Sequence, residues 1–314
     1  MLSFIIRRAA ASIPVLLLVS LITFGLLWLV PGDPAAILLD ASATPEALER
    51  VRRELGLDQP FLVRMGQWYW RILHGDLGNS LLLNRSVASA IVERLPVTLS
   101  LTALAFVFAA LVGIAAGVTA AVRHGRAADQ SVMMLALLGL SIPEFWLGLV
   151  LIWGLAVGAG LFPAGGYVPF SENPVEWARH VALPAFTLAC VQMGFIARMT
   201  RSSMLEVLGQ DFIRTARAKG LPESTLVMQH GLANAMVPVV TVMGIMVGGL
   251  LGNAVVTEQV FAIPGVGRLI IGAVLSRDFP VIQGGLLYLA LIYLVVNLIV
   301  DVLYAVIDPR VRLG

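Results

Sequence analysis

The sequence predicts an all-α integral membrane protein with six transmembrane helices. Hydrophobic residues make up 59% of its 314 residues and charged residues only 13%, whereas soluble domains have about 45–50% apolar and about 25% charged residues. The apolar residues are concentrated in six runs, most of them near or above the ~20 residues that a helix needs to cross a bilayer. Such runs favour membrane-spanning helices over a single buried core.

Only the third of these runs contains a charge, at Glu144, and the fourth is the shortest. The first run is too long for the apolar part of a removable signal peptide, and no small-residue cleavage site follows it, so we expect it to be retained. The six runs occupy residues 9–30, 96–122, 130–171, 181–197, 231–257 and 279–300.

The distribution of Lys and Arg predicts that both chain ends face the cytoplasm. With the N-terminus inside, the cytoplasmic segments carry eleven of these residues and the short outer loops carry three, as the positive-inside rule requires. We therefore expect four parts. These are an N-terminal transmembrane helix at 1–30, an extracytoplasmic segment at 31–95, a five-helix core at 96–308 with a cytoplasmic loop at 198–230, and a C-terminal tail at 309–314.

Two amphipathic helices are predicted in the extracytoplasmic segment. Thr44 suits the N-cap of the first, with Pro45 at its first helical position and Gly56 at its end. The second begins after Pro60 and continues to Leu73, and its tryptophans are typical of a membrane interface. The segment is expected to form a folded cap on the outer face, which is compatible with a contact surface for an external partner.

The cytoplasmic loop predicts a short helix of about eight residues. Asp211 suits its N-cap, Gly220 suits the left-handed position after its end, and Pro222 prevents its continuation. Arg217 and Lys219 lie in the last turn, where the helix dipole favours cations. A generic cytoplasmic loop would not need so many residues that define helix ends, so these residues indicate that the loop contains a defined helix.

One side of this short helix is apolar. Phe212, Ile213 and Ala216 form that side, and small residues keep the end of the helix narrow. An amphipathic helix of this shape suits insertion into a groove on another protein.

Residues 214–220 resemble the EAA loop of ABC importer permeases, a Glu-Ala-Ala-x-x-x-Gly pattern followed by an Ile-x-Leu-Pro element. Ala216 and Gly220 match the pattern, and Leu232 stands at its leucine. Four positions depart from it: Arg214 replaces the glutamate, Thr215 the first alanine, His230 the isoleucine and Ala233 the proline. The longer string 211–221 is similar to the variant found in the dipeptide/oligopeptide/nickel branch.

Further segments resemble that branch and follow one another in order along nearly the whole chain. They are Pro31-Gly-Asp-Pro34, Leu55-Gly-Leu-Asp-Gln-Pro60, Gly75-Asp-Leu-Gly-x-Ser80, Ser141-Ile-Pro-x-Phe-Trp146, Val260-Phe-x-Ile-Pro-Gly-Val-Gly-Arg268, Arg277-Asp-x-Pro-Val-Ile-Gln283 and Asp308-Pro-Arg310. The chain resembles the first, or B-type, permease of the pair in this family.

The resemblance implies a type I ABC importer permease-like fold in a prokaryotic inner or plasma membrane. It also implies a second homologous permease, two ATPase subunits and an extracytoplasmic substrate-binding protein, with short peptides as cargo. The short helix would then be the coupling helix, held in a cleft of an ATPase. The residues implied in coupling are Asp211, Phe212, Arg214, Thr215, Ala216, Lys219, Gly220 and Leu232.

Several kinds of site are not expected in this chain. Its only lysine, Lys219, follows Ala218, so a Walker A loop is absent, and ATP and Mg²⁺ are expected on the partner subunits. The four histidines are far apart and lack metal-ligand spacing, and no Ser-His-Asp arrangement is evident. No basic patch interleaved with aromatics suggests nucleic-acid binding.

Four residues in the predicted spans are candidates for lining a transport pathway: Glu144, Trp146, Gln192 and Asn253. A charge in a span is costly, so Glu144 should face the bundle interior or water. Residues 141–143, just before it, are expected to kink the helix. The alternatives are a structural, paired or protonated acid at the kink, and interhelical hydrogen bonding by the two amides.

Two alternative functions stay open on these residues. The same type of complex could import a nickel chelate or another small solute. An autonomous secondary transporter driven by protons or sodium would usually have several ionisable groups near the midplane, and Glu144 is one such group.

Overall fold

A computed structural model of the chain describes residues 2–29, 44–54, 58–80 and 82–307. Their regular structure is helical except for one antiparallel two-stranded hairpin. In chain order the elements are α1 (Leu2–Leu29), α2 (Pro45–Glu54), α3 (Phe61–Leu73), β1 (Asn79–Ser80), β2 (Arg85–Ser86), α4 (Val87–Val122), α5 (Ala127–Ser141), α6 (Glu144–Leu151) with a π-helical continuation (Ile152–Gly158), α7 (Pro174–Leu208), α8 (Asp211–Ala218), α9 (Glu223–Thr225), a second π-helical stretch (Leu226–Leu232), α10 (Ala233–Val260), α11 (Val266–Ser276) and α12 (Phe279–Ile307).

Five helical segments are long and apolar enough to cross a membrane. The predicted all-α membrane architecture is therefore confirmed. The fourth predicted run, residues 181–197, is the middle of a much longer helix that also includes charged residues at both ends. The five segments are Ile5–Gly25, Val87–Val122, Pro174–Leu208, Glu223–Val260 and Phe279–Val302.

The third predicted span is broken. α5 and α6, with its π-helical continuation, are long enough for a span only when counted together, and they are bent by 105° relative to each other. Ile142 at the break has extended backbone angles (φ −81°, ψ 125°), because a residue before proline avoids the α region. The predicted kink at residues 141–143 is confirmed, but it is a full break, giving either a broken span or a re-entrant loop.

The chain forms two compact units, which are described separately below. The first, the core unit, comprises Val97–Pro264 and the chain from Val296 onward. The second, the N-terminal unit, comprises Leu2–Pro96 and Gly265–Val295.

The core unit is packed around apolar side chains of α4, α7 and α10. Leu101, Leu188 and Leu250 are at most 1% exposed, and Phe261 closes the same cluster. Burial of this kind is what a membrane bundle needs where its helices face each other, while the remaining helix surfaces stay apolar for lipid.

Small residues bring α4 and α7 unusually close together. A Cβ built on Gly113 would lie 2.8 Å from the Cβ of Ile196. A Cβ built on Gly117 would lie 2.5 Å from the Cβ of Thr200 and 2.6 Å from the carbonyl oxygen of Ala197. Only glycine permits this backbone approach, which is how small residues four apart promote helix packing in membranes.

In the N-terminal unit, the hairpin is fastened to the start of α12. The hydroxyl of Ser80 donates a hydrogen bond to the carboxylate of Asp278, which is 2% exposed. The backbone N–H of Leu83 donates to the same hydroxyl at 2.8 Å. A Cβ on Gly284 would lie 2.7 Å from a methyl carbon of Val87. Two segments that are far apart in the sequence therefore form one packed structure.

The predicted helices before the hairpin are present. The Thr44 hydroxyl accepts a hydrogen bond from the N–H of Ala47 at 3.3 Å, so the predicted N-cap and Pro45 start of α2 are confirmed. The predicted stop at Gly56 lies outside the described residues. α3 extends over Phe61–Leu73, as expected.

Candidate functional site

The predicted short helix in the loop is α8, and it has the expected eight residues, Asp211–Ala218. Its N-cap is Gln210 in an extended conformation, without a side-chain cap hydrogen bond. The prediction that Asp211 is the N-cap is therefore wrong by one position. As the first helical residue, Asp211 still places its carboxylate at the positive end of the helix dipole, 3.3 Å from Nη1 of Arg214.

The C-terminus of α8 is fixed by backbone hydrogen bonds around Gly220, which has a φ of +81°. The N–H of Gly220 donates to the carbonyl of Arg217 at 3.0 Å, and the N–H of Leu221 donates to that of Ala216 at 3.4 Å. This pair of bonds is a Schellman motif. Because a Cβ on Gly220 would meet nothing within 4 Å, glycine is required here for its backbone angle and not for space.

A salt bridge closes the turn after α8. Arg217 donates from Nη2 to Oε1 of Glu223 at 2.7 Å and from Nε at 3.1 Å. The two side chains are about half exposed, so the bridge contributes little stability. Its geometric effect is to hold the end of α8 against the start of α9.

The apolar residues predicted for one side of α8 differ in burial. Ile213 is completely buried, and α8 packs against the π-helical stretch that precedes α10. The neighbouring Phe212 is 42% exposed. The three apolar residues share one side of the helix, but only part of that side is open to a partner: Ile213 holds the helix to its own chain, and Phe212 projects outward. The other exposed coupling candidates are Asp211, Arg214, Thr215, Lys219 and Gly220, while Ala216 is half-buried.

Leu232 lies apart from this exposed surface. It is half-buried at the end of the π-helical stretch and packs against a cluster that contains Ala121, Met204, Val207 and Ala235. Its side chain thus contributes to the packing of α4, α7 and α10 against each other, and it is not part of the exposed face of α8.

Among the pathway candidates, Glu144 has the most informative position. It is the first residue of α6, immediately after the 105° break, and its carboxylate accepts a hydrogen bond from the hydroxyl of Thr257 on α10. Thr257 is 1% exposed and Glu144 is half-buried. A hydrogen bond between two helices therefore connects the broken span to α10.

The other pathway candidates differ in environment. Trp146 is 50% exposed, as is its neighbour Phe145 at 52%. Gln192 on α7 is buried with 8% exposure, and Asn253 on α10 is exposed. Burial of Gln192 fits hydrogen bonding between helices, which was the alternative interpretation, better than contact with an aqueous pathway.

Sequence reasoning missed a buried acid, Glu258, in the last turn of α10. Its side chain is 0% exposed, and its Oε1 accepts a hydrogen bond from the hydroxyl of Thr98 at 2.5 Å. The predicted uncharged run ends at residue 257, one position before Glu258. The continued apolar spacing up to Val260 was the sequence feature that could have placed it in the helix.

A charged cluster around Asp129 was also missed. Asp129 is 3% exposed, and its carboxylate accepts hydrogen bonds from Arg201 and from the N–H of Gly125 at 3.0 Å. Nδ1 of His124 lies 3.1 Å from the same carboxylate. In the sequence, the arginines of this cluster contributed only to the prediction of membrane orientation. A lone acid in a basic loop was the available sign of an ion pair.

No catalytic chemistry is indicated by these positions. Within the part of the chain that the structure describes, no group of three or more His, Cys, Asp and Glu side chains is arranged to hold a metal ion. The coupling candidates lie on an exposed helix, except for Leu232 in its apolar cluster, and of the pathway candidates Glu144 makes a hydrogen bond to another helix.

Two family models match the chain. One, described as a binding-protein-dependent transport system inner membrane component, matches residues 113–313. The other, described as the N-terminal part of such a membrane component, matches residues 1–102. The matches lie in the same order as the resemblances noted in the sequence.

Three relatives are similar over 99% of this chain. A protein of Brucella abortus (strain 2308), named as a peptide transport system permease, is 50% identical over 312 residues and is covered over 99% of its length. The dipeptide transport system permease protein DppB of Escherichia coli (strain K12) is 42% identical over 336 residues, with 99% of its length covered. DppB of Alkalihalophilus pseudofirmus is 39% identical over 336 residues and is covered completely.

Two solved structures resemble the chain in fold. An inward-facing MetNI methionine ABC transporter matches 69% of this chain and 96% of its own, with a TM-score of 0.56 and 21% identity. An amino acid ABC transporter matches 71% of this chain and 94% of its own, with a TM-score of 0.51 and 17% identity. The likeness confirms the predicted fold, that of a type I ABC importer permease.

Proposed function

This chain belongs to the family of binding-protein-dependent transport system inner membrane components, and from that premise we propose that it forms, with a second homologous permease, a membrane pathway for short peptides. An extracytoplasmic binding protein delivers the peptide. Two partner ATPase subunits hydrolyse ATP and hold the ATP and Mg²⁺, since the only lysine of this chain, Lys219, is not in a Walker A sequence.

The peptide cargo is supported by the relatives. The proteins of Brucella abortus and Escherichia coli that are 50% and 42% identical over nearly their whole length are named for peptide and dipeptide transport. A nickel chelate is the alternative cargo within the same type of complex.

The observation that carries the coupling proposal is the position of α8. Ile213 is buried and fixes the helix to its own chain, whereas Phe212 and the charged side chains of Asp211 and Arg214 are exposed. An aromatic ring on an otherwise charged, exposed helix is a typical anchor for a pocket on another protein. We assign the pocket to an ATPase subunit.

Movement of α8 would reach the membrane through its flanking helices. α7 is continuous from Pro174 to Leu208 and ends two residues before α8, and α9 leads through the π-helical stretch into α10. At the far end of α10, Thr257 is hydrogen-bonded to Glu144 at the start of α6. A rigid displacement of α8 can therefore be transmitted to the broken span, as switching by rigid movement of packed elements requires.

We also propose which side of the membrane the chain ends and α8 face. Both chain ends and α8 lie in the cytoplasm, because the segments on that side carry eleven of the Lys and Arg residues against three in the short outer loops. The prokaryotic inner or plasma membrane is the site of the complex.

The first test is purification of the chain from its native membrane in mild detergent, with identification of the accompanying proteins by mass spectrometry. We expect a second permease and two ATPase subunits. A stable chain that carries no ATPase in any of several detergents would overturn the proposal in favour of an autonomous secondary transporter.

The second test replaces Gly220 by valine in the assembled complex. A β-branched residue is strained at a φ of +81°, so the Schellman motif should open and peptide uptake should fall while ATP hydrolysis continues. Gly209→Ala is the matched control, because Gly209 has a helical φ of −80° and its added Cβ would meet only ordinary contacts at 3.5 Å. Normal uptake by correctly assembled Gly220→Val would refute the coupling role.

Cargo is tested by uptake into proteoliposomes that contain the complete complex with its binding protein. We expect ATP-dependent uptake of a labelled dipeptide, with competition by unlabelled dipeptides. Uptake of labelled nickel with a small chelator, and none of the dipeptide, would replace the peptide assignment and leave the permease assignment intact.

A further inference from the structure

The amphipathic helix α3 exposes an apolar stripe. Leu62, Trp70 and Leu73 are 71%, 66% and 79% exposed. At about 100° per residue, these three side chains and Gly66 lie within about 80° of the helix circumference. They therefore form one continuous strip, which nothing in the N-terminal unit covers in the part of the chain that the structure describes.

The side of α3 next to this stripe packs against α1. The ring of Phe24 on α1 lies 5.4 Å from the ring of Phe61 and 5.3 Å from that of Trp68. The guanidinium carbon of Arg64 lies 5.8 Å from the same Phe24 ring. α3 thus lies directly against a membrane-spanning helix.

The third side of α3 is polar. Gln67, Arg71 and His74 are exposed, and at about 100° per residue they cover about 60° of the helix circumference between the apolar stripe and Arg64, at the edge of the α1 contact. Around the helix axis the order is therefore α1 contact, exposed apolar stripe and exposed polar face. A helix lying in a membrane surface against a transmembrane helix needs these three kinds of surface.

The contacts with α1 also fix the depth of α3. The uncharged run of α1 continues in the sequence to residue 30, so Phe24 lies in the last third of the predicted span, about 9 Å before its end by the helical rise. Ser20, about 6 Å further inside by the helical rise, has its hydroxyl 2.8 Å from the hydroxyl of Tyr69. α3 therefore packs against the C-terminal third of the predicted span, with the Tyr69 side chain reaching further toward its middle, a depth that fits the ~5–10 Å to which an interfacial helix is buried.

We propose that α3 is an interfacial helix whose stripe of Leu62, Trp70 and Leu73 is inserted into the lipid leaflet near the C-terminal end of α1. Lipid is the occupant because α3 packs on a helix whose own remaining surface is apolar and exposed, with Leu21 and Ile22 at 47% and 56% exposure. Trp70 is suited to the membrane–water boundary. A neighbouring protein subunit would not require a polar face beside the stripe at this depth.

The test uses site-directed spin labels on the full chain, assembled with its native partner subunits in proteoliposomes. Leu62→Cys and Leu73→Cys report on the stripe, in a Cys190→Ala background. Gln67→Cys and Arg71→Cys are matched controls on the polar face of the same helix. Collision with oxygen, which concentrates in lipid, is compared with collision with a water-soluble nickel complex.

The expected result is a reversal between the two faces. Labels at 62 and 73 should collide more with oxygen than with the nickel complex, and labels at 67 and 71 should do the opposite. Labels at 62 and 73 that are shielded from both reagents would show a protein partner on the stripe. Labels there that favour the nickel complex would show water. Either outcome overturns the proposal, and neither bears on cargo or ATPase coupling.

Discussion

Arg201 on α7 donates two hydrogen bonds to the buried carboxylate of Asp129, at 2.6 Å from Nε and 2.8 Å from Nη2. The two residues are 72 positions apart in the chain. Their bidentate pair fastens the beginning of α5 to α7 at a point ten residues before α8. Any displacement of the coupling helix that moves α7 would therefore also reach α5, on the other side of the 105° break from Glu144.

Asp129→Asn should lower the thermal stability of the purified chain and reduce peptide uptake. The change removes the negative charge while Arg201 stays three-quarters buried, with a side-chain exposure of 25%, and a partly buried cation without its partner is unfavourable. Thermal unfolding in detergent measures the effect. Glu223→Gln, which removes the exposed bridge to Arg217, is the control and should change stability by no more than about 1 kcal/mol.

The pair can be separated from other effects by a double substitution. If Asp129 and Arg201 act together, adding Arg201→Gln to Asp129→Asn should cost little beyond the single change. Fully additive losses would mean that the two side chains stabilise the protein independently.

Phe212→Ala and Ile213→Ala should separate coupling from folding at adjacent positions. Ile213 is completely buried, so its truncation should cost about 2–5 kcal/mol of unfolding free energy. Phe212 is 42% exposed, so its truncation should leave stability nearly unchanged and weaken retention of the ATPase. Thermal unfolding and co-purification measure the two effects. Equal ATPase retention by Phe212→Ala and the unaltered chain would argue against Phe212 as the anchor.

Gly117→Ala should destabilise the core unit by about 1–3 kcal/mol, because the added methyl group overpacks the contact with Thr200 and the Ala197 carbonyl. Gly249→Ala on α10 is the matched control. A Cβ there meets nothing within 4 Å, and alanine is the better helix former by about 1 kcal/mol. Thermal unfolding in detergent measures both variants. Equal stability of Gly117→Ala and Gly249→Ala would contradict the close approach of α4 and α7.

Thr257→Val should show what the hydrogen bond to Glu144 contributes. Valine keeps the shape of threonine but leaves the carboxylate without that donor, at a cost of about 1–3 kcal/mol. Glu144→Gln keeps an acceptor oxygen and removes only the charge. If Glu144 lines the pathway, Glu144→Gln should reduce uptake without loss of stability. Unchanged uptake would assign Glu144 a structural role at the break.

Helix ends were predictable from the sequence where the backbone conformation at that position suits only a few residue types. Gly220 ends α8 because few residue types other than glycine tolerate a left-handed backbone conformation. Thr44 and Pro45 start α2 because few residue types suit the N-cap and the first helical position. The start of α8 was misplaced because an acid is favourable both at the N-cap and in the first turn. Local sequence cannot separate these two positions when Gln210 adopts the extended conformation.

Contacts between distant residues were beyond local reasoning. The Ser80–Asp278 hydrogen bond joins residues 198 positions apart, and periodicity carries no information on which polar side chains will meet. The uncharged runs predicted the spans well, but a run bounded by charges underestimates the length of a helix. Glu258 lies just beyond the predicted run 231–257, and α7, Pro174–Leu208, is far longer than the predicted run 181–197.

The break between α5 and α6 also has a consequence for hydration. The first backbone N–H groups of a helix have no partners within it, and α6 begins without a side-chain cap. Hydrocarbon cannot satisfy such groups, so non-helical backbone at membrane depth must be enclosed by protein or reached by water. The N–H groups at the start of α6 therefore require a polar environment that lipid cannot provide, whether or not a solute is passing.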